Sequence, residues 1–108
     1  EEIIMTQLGN LEETILLLVM IMEDEAYGYS VSKEYHKQNG KEISISAVHT
    51  VLSRLEKKGL IKSEMGGAIE ERGGRRKRIF KTTDYGVRTI QELKAHRTRL
   101  WNQLPQLQ

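Results

Sequence analysis

One stretch of this sequence, RGGRRKRIFK at residues 72–81, indicates the fold more directly than any other part of the chain. Six of its ten residues are Lys or Arg, two are adjacent glycines, and none is acidic. The residues from Ile79 to Thr82 have the composition of a strand, and the glycines before them predict the turn of a hairpin. Repulsion among these cations is relieved best by a polyanion. A solvated loop with a chance cluster of cations is the plainer interpretation, and the neighbouring segments argue against it.

The segments before this stretch predict a hairpin that follows a helix. Residues 60–65 predict the first strand, the glycine-rich segment 66–74 predicts the tip, and residues 77–82 predict the returning strand. Ser44 is a good N-cap for a helix over residues 45–58, which ends at Gly59. The apolar residues of that helix share one face, and they are Val48, Val51, Leu52 and Leu55.

Two more helices are predicted before this unit. Asn10 followed by Glu13 resembles a capping box, and this pair predicts a first helix over residues 11–22. The second helix is predicted over residues 29–38, because the dipeptide 39–40, Asn-Gly, is a typical C-terminal stop.

A long fourth helix is predicted from the N-cap Thr83 to about residue 103. Its apolar residues form a heptad-like row that is interrupted by Arg97. The first helix has an apolar run, residues 15–22, that so small a domain is not expected to cover by itself. We therefore predict a homodimer interface that contains Ile15, Leu18, Met22, Ile90, Leu93, Arg97, Leu100, Trp101 and Leu104. Arg97 is expected to pair with an acid such as Glu92 across this interface.

The predicted order of elements defines a fold class that is mainly α with a two-stranded β-wing. It is a winged helix-turn-helix with a long C-terminal dimerisation helix. Residues 1–83 are predicted to form the winged-helix DNA-binding domain, and residues 84–108 the dimerisation helix of the same compact domain. In such domains the third helix enters the major groove of DNA and the wing lies along the backbone.

The predicted DNA contacts follow from this arrangement. The face of the third helix opposite its apolar stripe holds Ser46, His49, Thr50, Ser53, Arg54 and Lys57. Hydroxyl groups read base edges or phosphates, and Arg suits guanine. The wing adds Arg72, Gly73, Gly74, Arg75, Arg76, Lys77 and Arg78. A solvated helix face is the commoner fate of such a pattern, and the adjacent basic hairpin shifts the interpretation to DNA.

Three segments resemble the PadR family of transcriptional regulators. Residues 26–29, AYGY, resemble the family's step into the second helix. Residues 46–61, SAVHTVLSRLEKKGLI, resemble its recognition helix and first wing strand, and residues 72–86, RGGRRKRIFKTTDYG, resemble its wing and the step into the last helix. The resemblance extends from Leu8 to about Gly86. It implies a homodimeric repressor that acts on a palindromic operator, and the short segment after the fourth helix resembles the small subfamily.

The chain departs from the family pattern at two positions. His49 stands where the family usually has Tyr, and Val51 where it often has Pro, so the operator sequence of relatives does not carry over. In multidrug-binding members of the family, a tryptophan on the corresponding helix lines a pocket at the dimer centre. Trp101 therefore has two interpretations, dimer core or part of a site for a small hydrophobic effector, and dimer core is the commoner role.

Several classes of function have no support in the composition. The chain has no cysteine, which excludes disulfides and Cys-ligated metal. His36, His49 and His96 are the only histidines, and none has a partner at metal-site spacing. No nucleophile elbow or phosphate-binding loop is present. We expect no cofactor, no metal and no catalysis. The alternative function is a winged-helix module for protein contacts, although such a module does not require a basic wing.

The charge of the chain is small but unevenly distributed. Seventeen basic and fifteen acidic residues give a formal net charge of +2. Residues 1–25 contain seven acidic residues and no Lys or Arg, so the positive charge lies in the rest of the chain. The longest apolar run, residues 15–22, is far shorter than the ~20 residues that span a bilayer. We expect a soluble, cytoplasmic protein with no membrane partner.

Overall fold

The structure, a computed structural model, describes residues 8–68, 73 and 76–105, except for the side chain of Ala68. Helix α1 (Asn10–Met22) is followed by a single 3-10 turn (Glu23–Glu25), α2 (Gly28–Asn39) and α3 (Ile45–Lys57). Strands β1 (Ile61–Ala68) and β2 (Arg76–Thr82) pair antiparallel, and α4 (Asp84–Asn102) follows them. This order of helices and strands confirms the predicted fold class.

Hydroxyl side chains begin two of the helices, as the sequence predicts. The Ser44 hydroxyl accepts a hydrogen bond from the Ala47 amide at 3.0 Å at the start of α3. The Thr83 hydroxyl accepts one from the Gly86 amide at 3.0 Å at the start of α4. Each bond satisfies an amide that has no partner within its helix.

The predicted cap of α1 is wrong by one residue. Gly9 is the N-cap, and its amide donates to Glu12 Oε1 at 3.1 Å, whereas Asn10 is already helical. Two adjacent glutamates each have the spacing of a capping partner, and the sequence does not distinguish them. In the structure Glu12 caps Gly9 and also accepts from Lys58, whereas Glu13 pairs with Arg97 of α4 at 2.7 Å.

The hairpin is longer than predicted. The segment 66–67, two glycines assigned to the tip, belongs to β1. The register pairs Met65 with Arg78 and then shifts, so that Ala68 faces Arg76. Gly66 permits this close pairing, since a Cβ there would lie 2.9 Å from Ile79 Cγ1. The predicted tip residues 69–72 and 74 lie outside the described part of the chain.

The core lies between α1, α2, α3 and the base of the hairpin. The predicted stripe of α3 is buried, and it packs with other apolar side chains that include Ile15, Leu16, Leu18, Val19, Val31, Leu60, Ile61 and Phe80. Each fully buried Leu or Ile contributes about 1.5–3 kcal/mol relative to an exposed one. This core fixes how α3 is presented to solvent.

The prediction that Ile15 and Leu18 lie at a dimer interface is wrong. Ile15 has no exposed surface and Leu18 is also buried, because α2, α3 and β2 all pack against α1. Met22 is half-buried against the same core. The outward apolar residues of α1 are instead Leu11, Leu17 and Ile21. The central position of α1 explains why it is apolar on most sides.

The start of helix α4 is closely attached to the core. The Thr83 hydroxyl donates to the Gly59 carbonyl at 2.7 Å, and the Thr83 amide donates to the Leu60 carbonyl at 3.0 Å. A Cβ at Gly86 would lie 2.2 Å from that same carbonyl oxygen, so only glycine allows this approach. Ile90 also packs on the core, and further along the helix Arg97 pairs with Glu13 of α1 at 2.7 Å. Among the described residues, no helix is long and apolar enough to cross a membrane.

Candidate nucleic-acid interface

The outward face of α3 presents all the side chains that the sequence assigns to it. Each of the six is exposed, on the side opposite the buried stripe, and they are Ser46, His49, Thr50, Ser53, Arg54 and Lys57. The Thr50 hydroxyl donates to the Ser46 carbonyl at 3.2 Å, and its oxygen can still accept from a base. The structure thus brings hydroxyls, one imidazole, one guanidinium and one ammonium group together on a single helix face.

His49 is exposed and also packs against α2. A Cβ at Gly28 would lie 2.4 Å from His49 Nε2 and 2.7 Å from His49 Cε1. The imidazole therefore lies directly over the first turn of α2, where only a glycine leaves room for it. The contact between His49 and Gly28 therefore helps to fix the position of α3 relative to the start of α2.

The cations on β2 contact other parts of the protein as well as solvent. The Arg76 guanidinium donates to the Gly66 carbonyl at 2.9 Å, across the hairpin. Arg78 Nη1 donates to the Ser63 hydroxyl at 3.1 Å. Arg76 and Arg78 are nevertheless exposed, so their remaining donors face solvent. Arg76 thus stiffens the hairpin and also contributes charge to its surface.

The other predicted wing residues differ in their surroundings. Lys77 is half-buried, and its ammonium lies 4.9 Å from the centre of the Tyr27 ring. Gly73 is exposed and has a φ of 65°, a left-handed conformation that favours glycine. Arg72, Gly74 and Arg75 lie outside the described residues.

Sequence reasoning missed the aromatic part of this surface. The rings of Tyr27 and Tyr29 lie 6.4 Å apart at the start of α2. The Lys33 ammonium lies 5.3 Å from the centre of the Tyr29 ring. The pattern Tyr-Gly-Tyr with a lysine four residues after the second tyrosine contains this arrangement, since positions i and i+4 of a helix are neighbours. The contact between Tyr27 and Lys77 has no such local pattern.

The two adjacent lysines at the end of α3 have different surroundings. Lys58 donates to Glu12 Oε1 at 2.9 Å and ties α3 to the start of α1. This hydrogen bond holds the pKa of the Glu12 carboxyl below its ordinary value, although partial burial opposes the shift. Lys57 is exposed next to Arg54 on the outward face. Of the two lysines, Lys57 therefore lies with the residues of α3 that are predicted to contact DNA.

The predicted dimer residues on α4 are mostly exposed. Trp101 is 64% exposed, Leu100 and Leu104 are exposed, and Leu93 is half-buried. Between α1 and α4 lies a groove of about 260 Å³ lined by Glu13, Leu17, Ile90, Lys94, Arg97, Thr98 and Trp101. Arg97 pairs with Glu13 of the same chain at 2.7 Å, and its expected pairing with Glu92 across an interface stays a prediction.

The described residues offer no group of three or more His, Asp or Glu side chains that could hold a metal ion. Their chemistry is that of a basic and hydroxyl-rich surface, built from α3, the start of α2 and a basic hairpin. Together with the order of elements, this surface defines a winged helix-turn-helix protein.

Comparison with known proteins extends this assignment to a family. The model of the transcriptional regulator PadR-like family matches residues 16–92. An uncharacterised protein of Lysinibacillus sphaericus is 34% identical over 87 residues, which cover 79% of this chain and 75% of that protein. The chain belongs to the PadR-like family of transcriptional regulators.

Solved structures show the same fold. A PadR family transcriptional regulator from Eggerthella lenta has a TM-score of 0.64 and 30% identity, and the match covers 85% of this chain and 80% of that one. The Bacillus subtilis PadR structure in complex with operator DNA has a TM-score of 0.64 and 20% identity. The match covers 78% of this chain and 46% of that PadR chain.

Proposed function

We propose that this DNA-binding transcriptional regulator is a repressor that binds a palindromic operator as a homodimer. The observation that carries the proposal is the exposed face of α3, which lies opposite a fully buried stripe. A core of this kind holds the helix rigidly, so that its polar face can enter a major groove as a unit. The protein meets its operator in the cytoplasm and needs no catalytic activity for this function.

In this proposal α3 reads the bases and the hairpin holds the backbone. Arg54 is long enough to donate to both acceptors on the edge of a guanine, and the hydroxyls of Thr50 and Ser53 contact base edges or phosphates. Arg76 and Arg78 direct their solvent-facing donors to phosphates, which are sequence-independent contacts. Specificity then resides on α3, and the salt dependence of binding resides largely on the wing.

Dimerisation is proposed through α4 and the outward side of α1. The exposed apolar residues that support it are Leu17 on α1, Leu100 and Trp101 on α4, and Leu104 just after α4. Leu100, Trp101 and Leu104 lie beyond the contacts of Thr83, Gly86 and Ile90 with the core, and in this proposal a second copy covers them. A two-fold dimer places two α3 helices about one DNA turn apart, roughly 34 Å, which matches a palindromic operator.

A small hydrophobic effector is proposed at the groove beside Trp101. The groove volume of about 260 Å³ is below that of a typical ligand pocket. Two copies facing each other across a two-fold axis would join their grooves into a larger site. A planar ligand stacked on Trp101 would then change DNA affinity only if it favours one spacing of the two halves over another.

Selection of bound duplexes from a random pool tests this function. We expect the full chain to enrich a palindromic sequence whose half-sites are separated by about one helical turn. Arg54→Ala should relax the preference at one position in each half-site, with a loss of about 1–3 kcal/mol per guanine contact. The matched control is Lys37→Ala, which removes an exposed cation outside the proposed interface.

Failure to enrich any duplex above a pool without protein would contradict DNA binding. It would favour a winged-helix module that binds other proteins. Enrichment of a non-palindromic sequence would keep DNA binding and contradict the symmetric dimer.

A further inference from the structure

Two tyrosines at the start of α2 each hold a lysine. The Lys33 ammonium lies 5.3 Å from the centre of the Tyr29 ring, and the Lys77 ammonium lies 4.9 Å from that of Tyr27. Both distances are within the ~6 Å reach of a cation–π interaction. Lys33 belongs to the same helix as its ring, whereas Lys77 comes from β2. Tyr27 is therefore a point at which α2 holds a side chain of the wing.

The backbone fixes the same junction. The Phe80 amide of β2 donates to the Ala26 carbonyl at 2.8 Å, next to Tyr27. The Tyr27 amide donates to the Ser30 hydroxyl at 2.9 Å, and that hydroxyl donates to the Glu25 carbonyl at 2.7 Å. The base of the wing and the backbone next to Tyr27 are thus held together by hydrogen bonds. The ring stands at a defined place beside β2.

The start of α2 also touches α3. The His49 imidazole lies over Gly28, between the two tyrosines in sequence. Residues 27 and 28 therefore contact the wing on one side and the reading helix on the other. The distance between wing and reading helix must match the distance between the DNA backbone and the major groove. The junction already holds the wing and α3 in place. Less free energy is therefore lost to ordering these two elements when the protein binds DNA.

We propose that Tyr27 is a positioning residue for DNA binding. Its ring holds the Lys77 ammonium and thereby sets the wing relative to α3, and it acts through Lys77 rather than by touching DNA. The inference rests on the proposed DNA-binding function and adds a residue that this function does not use. An exposed cation–π interaction of ordinary strength corresponds to about a two- to five-fold change in affinity.

A double-mutant cycle with the full chain tests the proposal, with a duplex of the selected sequence as the probe. Tyr27→Leu should weaken binding about two- to five-fold, because the ring is lost and the bulk is kept. Tyr27→Phe should restore wild-type affinity, since it keeps the ring. In a Lys77→Met background, Tyr27→Leu should have no further effect. Tyr29→Leu is the matched control, because its lysine lies on its own helix.

Three outcomes of the cycle would overturn the proposal. They are unchanged affinity in Tyr27→Leu, additive effects in the double variant, and tighter binding in Tyr27→Leu, which would mean that the ring competes with phosphate for the ammonium. These outcomes differ from failure of the proposed function, in which the wild-type chain itself binds no duplex.

Proton NMR of the free wild-type protein supplies a test that needs no substitution. The Tyr27 ring current should shift the ε-methylene protons of Lys77 upfield of those of Lys62, which is exposed on β1. Equal shifts for the two lysines would overturn the proposal even if Tyr27→Leu fails to fold.

Discussion

At the scale of single residues, the pair Gly28 and His49 connects helix propensity with the surface that is proposed to contact DNA. Glycine costs a helix roughly 0.5–1 kcal/mol relative to alanine, and Gly28 lies in the first turn of α2. The His49 ring occupies the space that a Cβ would need. The presence of glycine is therefore explained by a tertiary contact and not by the helix itself.

This explanation predicts a coupling between the two positions. In a His49→Ala background, Gly28→Ala should raise the free energy of unfolding by roughly 0.5–1 kcal/mol, because only the effect of helix propensity remains. With His49 present, the imidazole must move away, and the gain should disappear. Urea unfolding of the four proteins measures this coupling. Equal effects of Gly28→Ala in both backgrounds would contradict it.

At the scale of elements, the hairpin combines stiffness with charge. Arg76 donates to carbonyls of the opposite strand, and Arg78 donates to Ser63, so both arginines of β2 take part in the structure of the hairpin. Neutralising Arg76 would therefore change the hairpin as well as its charge. Arg75 and Arg78 are better chosen to test the charge, since Arg78 donates to a side chain of the opposite strand, whereas Arg76 donates to its backbone carbonyls, and Arg75 adds a second cation nearby in the sequence.

Replacing both Arg75 and Arg78 by Ala should weaken binding to all duplexes by a similar factor. The slope of log K against log salt concentration should fall by roughly 0.9 for each phosphate that the variant no longer neutralises. Fluorescence anisotropy at several salt concentrations measures the slope. The control replaces Lys37 and Lys41, two exposed cations outside the proposed interface. An unchanged slope in the wing variant would show that the wing does not bind phosphates.

At the scale of the whole molecule, α4 is the element through which two copies are proposed to meet. Its first turn is fixed to the core through Gly59, Leu60 and Gly86, and Arg97 fastens its middle to Glu13 of α1. The part of α4 after Arg97 exposes the apolar side chains of Leu100 and Trp101. A rigid α4 would hold the two reading helices at one spacing, which a palindromic operator requires.

Replacing Leu100 and Leu104 together by Glu should yield a folded monomer. Both side chains are exposed and lie outside the core, so the free energy of unfolding of a single chain should change little. Charges in the apolar interface should prevent association, and affinity for a palindromic duplex should fall steeply because only one half-site is bound. Sedimentation equilibrium and anisotropy measure the two effects. Asn102→Glu is the control, and a double variant that stays dimeric would contradict the proposed interface.

The sequence by itself determined the order of elements and the faces of α3. The spacing of Val48, Val51, Leu52 and Leu55 and the caps Ser44 and Thr83 are local features, and local features are written in consecutive residues. The same reasoning placed Arg54 and its neighbours on the outward face.

Only the tertiary structure decided which apolar and charged side chains make their contacts within the chain. Ile15 and Leu18 belong to the core because three elements surround α1, a fact that the apolar run of that helix does not contain. Arg97 pairs with Glu13, and Lys77 lies over Tyr27, across separations in sequence that no periodicity encodes. The physical reason is that a side chain's partner depends on how distant elements pack, whereas its helix or strand depends mainly on its neighbours in the chain.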